Sequence, residues 1–317
     1  MTAQPTPRNA LVTGGAGFVG SHLVDRLLDD GWTVDVIDNL RTGKRENLNE
    51  RATFHEIDLI SPDLGDVLGG ARSEVVFHLA AQTSVVRSME DPADDVRINV
   101  SGTLNLLKAC DGWPIRHFVF TSTGGAIYGE PVSVPCDEDH PERPLSVYGV
   151  SKLATEGYLR ALAGAAGFPY TVLRPGNIYG PRQDPHGEAG VIAIFANRML
   201  AGEPVTIFGD GSQERDYVYV DDIVEANLRA VSPDRGAGGP TFNLGTGIGT
   251  NVLRIFELLA SETGYPGGPT HAPARTGEVQ RIYLDASRAE RELGWKPQVS
   301  FEDGIKRTVE LLKNSAG

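Results

Sequence analysis

The stretch Val12-Thr13-Gly14-Gly15-Ala16-Gly17-Phe18-Val19-Gly20-Ser21-His22 decides the fold. An apolar run, Ala10-Leu11-Val12, leads into it. A helix-period segment leaves it, with Leu23, Val24, Leu27 and Leu28 on one face and Asp25, Arg26, Asp29 and Asp30 on the other. The pattern reads as strand, glycine turn and helix. Gly14 permits the tight turn, Gly17 lets the backbone approach a pyrophosphate, and Gly20 lets the helix lie close to the strand. The first turn of such a helix offers unpaired N–H groups and the positive end of a dipole to an anion. Glycines also make ordinary turns. The strand before and the helix after supply the context that a dinucleotide-binding fingerprint requires.

The next run, Thr33-Val34-Asp35-Val36-Ile37-Asp38-Asn39, reads as a second strand. Asp38 ends it where an acidic residue takes the adenosine ribose hydroxyls. A carboxylate there repels the extra phosphate of NADP, so NAD is the expected cofactor. Arg41 and Lys44 lie close by and argue the other way. Asp38-Asn39 also fits a plain strand-ending turn.

Composition bounds the rest. At 317 residues the chain can bury a large core as one big domain or two intimately joined ones. With 22% charged and 40% hydrophobic residues it has the make-up of a soluble globular protein. A net charge of −13 disfavours nucleic acid or an anionic membrane as a main partner. No apolar run approaches the roughly 20 residues that span a bilayer. Met1 to Pro7 lacks a signal-peptide core. Cys110 and Cys136 give neither a disulfide framework nor metal spacing, and the scattered histidines form no metal motif. The expectation is a cytoplasmic protein without a metal.

Strand-like and helix-like runs alternate through the first half. Strands are expected at Phe54–Ile57, Val75–Leu79, His117–Thr121 and Tyr170–Leu173. A long helix is expected after Pro92, with Val96, Val100, Leu104 and Leu107 at helical spacing, and another over Tyr148–Ala165. Val75-Val76-Phe77-His78-Leu79 is near-continuously apolar, as a strand buried on both faces should be. This alternation implies an α/β fold, a Rossmann-type doubly wound parallel sheet, with ligands outside the carboxyl ends of the strands. Beyond Arg174, loop signals multiply around Pro175-Gly176-Asn177 and Gly180-Pro181-Arg182. Helices are expected at Val191–Leu200, from Asp221, at Val252–Thr263, Ser287–Leu293 and Phe301–Lys313. Strands are expected at Val205–Phe208 and Thr241–Asn243, the latter after a surface turn at Gly236–Pro240. We therefore expect an NAD-binding domain over 1–180, with returning segments near 220–250, and a smaller, mainly substrate-binding domain over 181–317.

Tyr148-Gly149-Val150-Ser151-Lys152 carries the chemistry. At the start of a helix, residues four apart share one face. A lysine beside a tyrosine favours the phenolate, and so does a helix N-terminus. A tyrosine so tuned takes a proton from a hydroxyl while hydride leaves the carbon. Tyr-x-x-x-Lys is common by chance and is often a surface pair; its value comes from lying downstream of the dinucleotide fingerprint. Thr121-Ser122-Thr123 places hydroxyls at the carboxyl end of a strand, where they hold a substrate hydroxyl or merely satisfy loop backbone.

Together these stretches resemble the extended short-chain dehydrogenase/reductase family, and within it the bacterial UDP-glucose (UDP-galactose) 4-epimerases that carry TGGAIYG and GPRQDPHGEAGV. The likeness rests on TGGAGFVGSH, Asp38-Asn39, Asp58-Leu59, Leu79-Ala80-Ala81-Gln82, Asn99, Ser122-Thr123, Tyr148-x-x-x-Lys152 and Arg174-Pro175. Asn177-Ile178-Tyr179-Gly180-Pro181-Arg182, Arg215-Asp216-Tyr217-Val218-Tyr219-Val220-Asp221-Asp222 and Asn243-Leu244-Gly245-Thr246-Gly247 extend it. The resemblance implies Tyr148, Lys152 and Thr123 as catalytic residues. It implies NAD held by Gly14, Gly17, Phe18, Val19, Asp38, Asn39, Leu40, Thr42, Gly43, Asp58, Leu59, Leu79, Ala80, Ala81, Gln82, Asn99, Thr121, Tyr148, Lys152 and Pro175. It implies a UDP-sugar held by Ser122, Thr123, Tyr148, Asn177, Val191, Thr206, Phe208, Arg215, Arg275 and Glu278, the arginines suiting a diphosphate.

The implied reaction takes hydride from carbon 4 of the sugar, lets the 4-keto sugar turn over, and returns the hydride to its other face. One departure stands out. The family places a serine or threonine five residues before the Tyr-Gly glycine, and that position here is Gly124. Adjacent Thr123, or a water, must then supply the hydroxyl. Gly124-Gly125 also lack the acidic pair of the related 4,6-dehydratases. Competing readings are UDP-glucuronate as substrate, with Arg87 or Arg182 meeting its carboxylate, and a non-catalytic NAD-binding sensor. Room for an N-acetyl group would depend on volume near Ile282. A homodimer through helices near Asn99–Cys110 and Tyr148–Ala165 is also implied.

Overall fold

The computed structural model describes residues 8–186, 190–231, 239–274 and 279–315. Its centre is a seven-stranded, all-parallel sheet. Six strands are β1 (Asn9–Thr13), β2 (Thr33–Asp38), β3 (Thr53–Glu56), β4 (Val75–His78), β5 (His117–Thr121) and β6 (Tyr170–Pro175). Their order is β3-β2-β1-β4-β5-β6, with Thr241–Leu244 beside β6 at the far edge. The order reverses between β1 and β4. A crevice therefore opens there at the carboxyl ends of the strands.

Side-chain alternation builds the layers. On β1, Ala10 and Val12 enter one core while Leu11 enters another; on β4, Val75 and Phe77 part from Val76 in the same way. The first core also takes Leu23, Val24 and Leu27 of α1 (Phe18–Asp29), Ile223 and Ala226 of helix Val220–Ala230, and Trp295. The Trp295 indole N–H donates to the Asp222 carbonyl at 2.7 Å. The second core takes Leu106 of helix Gly102–Ala109 and Cys110 just after it, and Leu159 and Ala163 of helix Val147–Ala166. The glycine turn with α1 and the Tyr148 helix thus lie on opposite faces of the sheet and meet at its carboxyl edge.

A separate core joins helices Val191–Leu200, Val252–Thr263 and Phe301–Ser315 through Ile192, Phe195, Ile255, Leu259, Ile305 and Val309. It belongs to the C-terminal portion, where the sequence placed a smaller domain. The segments that return to the sheet include Ser287–Leu293 and Trp295 as well as the stretch near 220–250. The expected turn at 236–240 lies largely outside the described residues. Small pairings escaped the sequence reading. Asn177–Tyr179 pairs with Tyr217–Tyr219, and Glu214–Arg215 pairs with Thr250–Asn251 and Arg281–Ile282.

The helix expected after Pro92 differs from its reading. It runs as α-helix over Pro92–Val96, a π-helical turn over Arg97–Ser101, and α-helix again over Gly102–Ala109. Its buried face carries Asp95, Asn99, Thr103 and Leu106, whereas Val96 is exposed and Val100 and Leu104 are half-buried. The apolar spacing located the helix but marked its outer face. Among the described residues no helix is long and apolar enough to cross a membrane, and no cluster of side chains suits a metal ion.

Candidate active site

The glycine turn is built as its spacing requires. Gly14 sits at φ +74°, and a Cβ there would lie 2.9 Å from the Ala80 backbone. A Cβ on Gly20 would lie 2.1 Å from the Gly14 carbonyl oxygen, so only glycine lets α1 approach the loop so closely. No side chain caps α1 and its first turn holds no acidic residue, which leaves that end suited to an anion. Asp38 is buried at the end of β2. Its carboxylate accepts the Ala16 N–H at 3.1 Å and the Leu40 N–H at 2.8 Å. A Cβ on Gly43 would strike that carboxylate at 2.7 Å. Burial raises the Asp38 pKa, against the two backbone N–H bonds that lower it.

The nearby cations are engaged elsewhere. Arg41 pairs with Asp94, Lys44 stands 4.0 Å from Glu46, and Arg45 pairs with Glu56. This arrangement accommodates a ribose diol better than a ribose phosphate. Asn39, exposed, donates to Asp58 at 2.8 Å, and Thr42 is exposed beside them. The Leu59 side chain is buried in the core, leaving its backbone on the loop.

A cavity of about 160 Å³ lies where β1, β4, β5 and β6 end. Val19, Leu79, Ala81, Thr121, Ser122, Thr123, Tyr148, Lys152 and Pro175 line it, all of them residues marked in the sequence. Thr83, Gly176 and Ile178 also line it and were missed, because nothing in their spacing separates them from loop and strand filler. Phe18 opens α1 beside Val19, and its ring meets His22 edge-on.

Ser146 caps the helix that carries Tyr148, its hydroxyl accepting the Gly149 N–H at 3.2 Å. Thr123 lines the cavity with Tyr148, and its hydroxyl draws the phenol pKa down. The hydroxyl that counting placed at Gly124 is thus supplied one residue earlier. Gly124 itself opens the short helix Gly124–Ile127, and a Cβ there would lie 2.4 Å from Leu284 and 2.9 Å from the Arg174 carbonyl.

Two expectations need correction. Lys152 was expected to pull the phenol pKa down. Instead burial dominates and raises it well above the ordinary tyrosine value; Thr123 pulls down and Asp95 pushes up. The Lys152 ammonium donates to the Thr121 carbonyl at 2.7 Å and lies 4.6 Å from the Phe120 ring centre. Burial lowers its pKa to about 8, with Glu156 and Asp95 opposing. Ser122 was expected to meet a substrate hydroxyl, but its hydroxyl donates to the buried Glu156 at 2.6 Å. Glu156 is also the partner of buried Arg174, which reaches Glu142 as well.

A buried network backs the cavity. Asn99 accepts the Gln82 N–H at 2.9 Å and donates to the Gln82 carbonyl at 3.0 Å. His78 lies between Thr13 at 2.7 Å and Thr103 at 2.8 Å. Thr103 donates to the Asn99 carbonyl, so it accepts from His78 Nε2, and His78 Nδ1 accepts from Thr13. Burial drives the His78 pKa to about 3, helped by Lys152, and the ring is neutral.

The residues marked for the sugar nucleotide lie on the segments beyond β6. Asn177, exposed, has its side-chain oxygen near Gly125. Val191 starts its helix, and Thr206 meets Thr270 at 2.9 Å. Phe208 is partly exposed on a strand that pairs with Thr270–Ala272. Arg215 is half-buried and donates to the Glu214 carbonyl at 2.9 Å. Arg275 and Glu278 lie outside the described residues. Ile282, near which room for an N-acetyl group was to be sought, is buried in an apolar cluster with Ile127, Tyr128, Cys136 and Leu284. Both cations considered for a sugar carboxylate are engaged, Arg87 with Asp94 and Arg182 with Asp25.

Comparison with known proteins agrees with this geometry. Residues 10–245 match the model of the NAD dependent epimerase/dehydratase family. The UDP-glucose 4-epimerase of Mycolicibacterium smegmatis is 46% identical, over 96% of this chain and 99% of its own. A putative UDP-glucose 4-epimerase of Methanocaldococcus jannaschii is likewise 46% identical, over 96% of this chain and 98% of its own. The crystal structure of the Thermotoga maritima UDP-glucose 4-epimerase with UDP-glucose is 50% identical. It superposes with a TM-score of 0.94, covering 98% of this chain and 100% of that one. The Thermus thermophilus UDP-glucose 4-epimerase complex with NAD has a TM-score of 0.90 at 44% identity, covering 97% and 99%. The chain belongs to the NAD-dependent epimerase/dehydratase family, in the extended short-chain dehydrogenase/reductase group, and is an NAD-dependent isomerase.

Proposed function

We propose that this protein inverts carbon 4 of a UDP-hexose, interconverting UDP-glucose and UDP-galactose through a 4-keto sugar. The observation that carries this reading is one cavity holding Tyr148 on Thr123, with Lys152 beside them, at the end of the glycine turn. NAD+, when bound, would supply a hydride acceptor and a positive charge. Gly14, Gly17 and the start of α1 would hold its pyrophosphate, Asp38 with Leu40 and Gly43 its adenosine ribose, and Leu79, Ala81, Thr121 and Pro175 its reacting end.

Tyr148 takes the proton of the sugar hydroxyl, and Thr123 keeps the phenol oriented. Lys152, charged at neutral pH, favours the phenolate. Tyr148 returns the proton after the sugar has turned over, so the site needs no net proton. Because the hexose must rotate, affinity belongs in the nucleotide, held by Asn177, Val191, Thr206, Phe208 and Arg215 with Arg275 and Glu278. This division of labour supports an NAD-binding part over 1–180 and a mainly sugar-nucleotide part over 181–317. Thiol, not disulfide, cysteines fit the cytoplasm, and both are free.

The glucuronate alternative gains nothing from Arg87 or Arg182. A spectator role as an NAD sensor does not account for a buried Tyr148–Thr123 pair. The test is turnover of UDP-galactose and UDP-glucuronate by purified protein. We expect kcat/KM to favour UDP-galactose by at least about 100-fold, and Tyr148→Phe to lose about 100-fold or more in kcat while retaining NAD. Preference for UDP-glucuronate, or full activity of the phenylalanine variant, overturns the reading.

A further inference from the structure

Two consecutive aspartates on helix Pro92–Val96 are treated oppositely. Asp94 is ion-paired with Arg41 at 3.2 Å, Arg87 at 2.9 Å and Arg97 at 2.5 Å. Asp95 is 1% exposed and pairs with no cation among the described residues. Its Oδ1 accepts the Gln82 Nε2–H at 2.9 Å and the Asn99 Nδ2–H at 3.0 Å. Its Oδ2 is buried without a hydrogen-bond partner among the described residues. An unpartnered buried carboxylate oxygen is costly. A neutral asparagine oxygen would accept the same two amides at lower cost. What the carboxylate adds is its charge.

We propose that Asp95 is a positioning residue of this site: its buried carboxylate fixes the Gln82 and Asn99 amides behind the cavity and keeps the Lys152 amine charged beside Tyr148. The other charges near this pair are already balanced. Glu156, on the same helix, is matched by Arg174, which also meets Glu142. His78, below Lys152, is neutral. Arg87 and Arg97, on the adjoining helical segments, turn to Asp94. Asp95 is the anion left uncompensated, and its field raises the proton affinity of both Lys152 and Tyr148. Asp95 and Asn99, four apart where helix Pro92–Val96 passes into the π-helical turn over Arg97–Ser101, share one buried face.

This assignment rests on the reading of Tyr148 and Lys152 as the reacting pair, and its test is separable from the sugar assay. The Lys152 titration is followed by NMR in isotope-labelled full-length protein, assigned by its absence in Lys152→Met. In Asp95→Asn it should fall by about half a pH unit or more, and both limbs of kcat against pH should move together toward acid. Asp95→Glu should restore the wild-type titration, and Asp94→Asn should leave it unmoved. Asp95→Ser replaces the asparagine variant if that one does not fold. An unchanged Lys152 titration in the neutral variant, or an equal shift in Asp94→Asn, overturns the proposal. Absence of epimerisation by wild type sinks the functional reading and leaves the titration to decide the role of Asp95.

Discussion

Lys152 shows how a single side chain trades stability for chemistry. Its folded pKa is about 8, against 10.5 when unperturbed. Between these values the unfolded chain binds more protons than the native one, so native stability rises with pH across that window. Below it the buried ammonium carries a penalty of roughly 3 kcal/mol. Lys152→Met, in cofactor-free protein, should therefore gain most relative to wild type at about pH 7, and that gain should shrink by roughly 2–3 kcal/mol by about pH 10. Urea unfolding at the two pH values measures it; a constant difference would mean that burial does not lower the Lys152 pKa. Tyr148 and Lys152 were legible from their spacing of four, because a helix enforces it. The direction of the Tyr148 shift was not legible, since burial is a property of the packed site and no local pattern encodes it. Thr123 was found one place away from the counted position because Gly124 is needed to clear Leu284 and Arg174.

Among the elements, the strand–turn–helix unit is the most strictly specified. Gly20→Ala sets a methyl group 2.1 Å from a backbone oxygen, where neither side can yield cheaply. We expect a loss of about 2 kcal/mol or more and little NAD retained after purification. Thermal unfolding and the dinucleotide content of acid-precipitated protein check both; wild-type values would remove the close approach from the account. Strands β1 to β6 were legible as short runs between turn signals, near-continuously apolar in β4 and more polar in β3. The π-helical turn was hidden, because the apolar spacing of Val96, Val100 and Leu104 continues through it. The face that is buried there is polar, and its partners, Gln82 and His78, come from loop and strand positions distant in sequence.

For the whole molecule, that outward apolar spacing becomes informative. Val96 is 45% exposed, and Val150, Tyr158 and Leu162 on helix Val147–Ala166 are 52%, 48% and 40% exposed. Large apolar residues grouped on two packed helices suit a second copy of the chain. Sedimentation equilibrium should give twice the 34.0 kDa chain mass, and Tyr158→Glu with Leu162→Glu should give the monomer. A monomeric wild type at micromolar concentration would exclude this interface. The parallel sheet was legible from alternation alone. The returning segment at Ser287–Trp295 was not, because its contacts lie with helix Val220–Ala230 and strand Thr241–Leu244, tens of residues earlier in the chain.

If carbon 4 is inverted by hydride removal and return within the Tyr148 cavity, the hydrogen on that carbon never exchanges with water. UDP-glucose carrying deuterium at carbon 4, incubated with the enzyme in ordinary water, tests it most directly. The expected product is UDP-galactose that keeps its deuterium at carbon 4. Product with hydrogen from solvent at that carbon would contradict it.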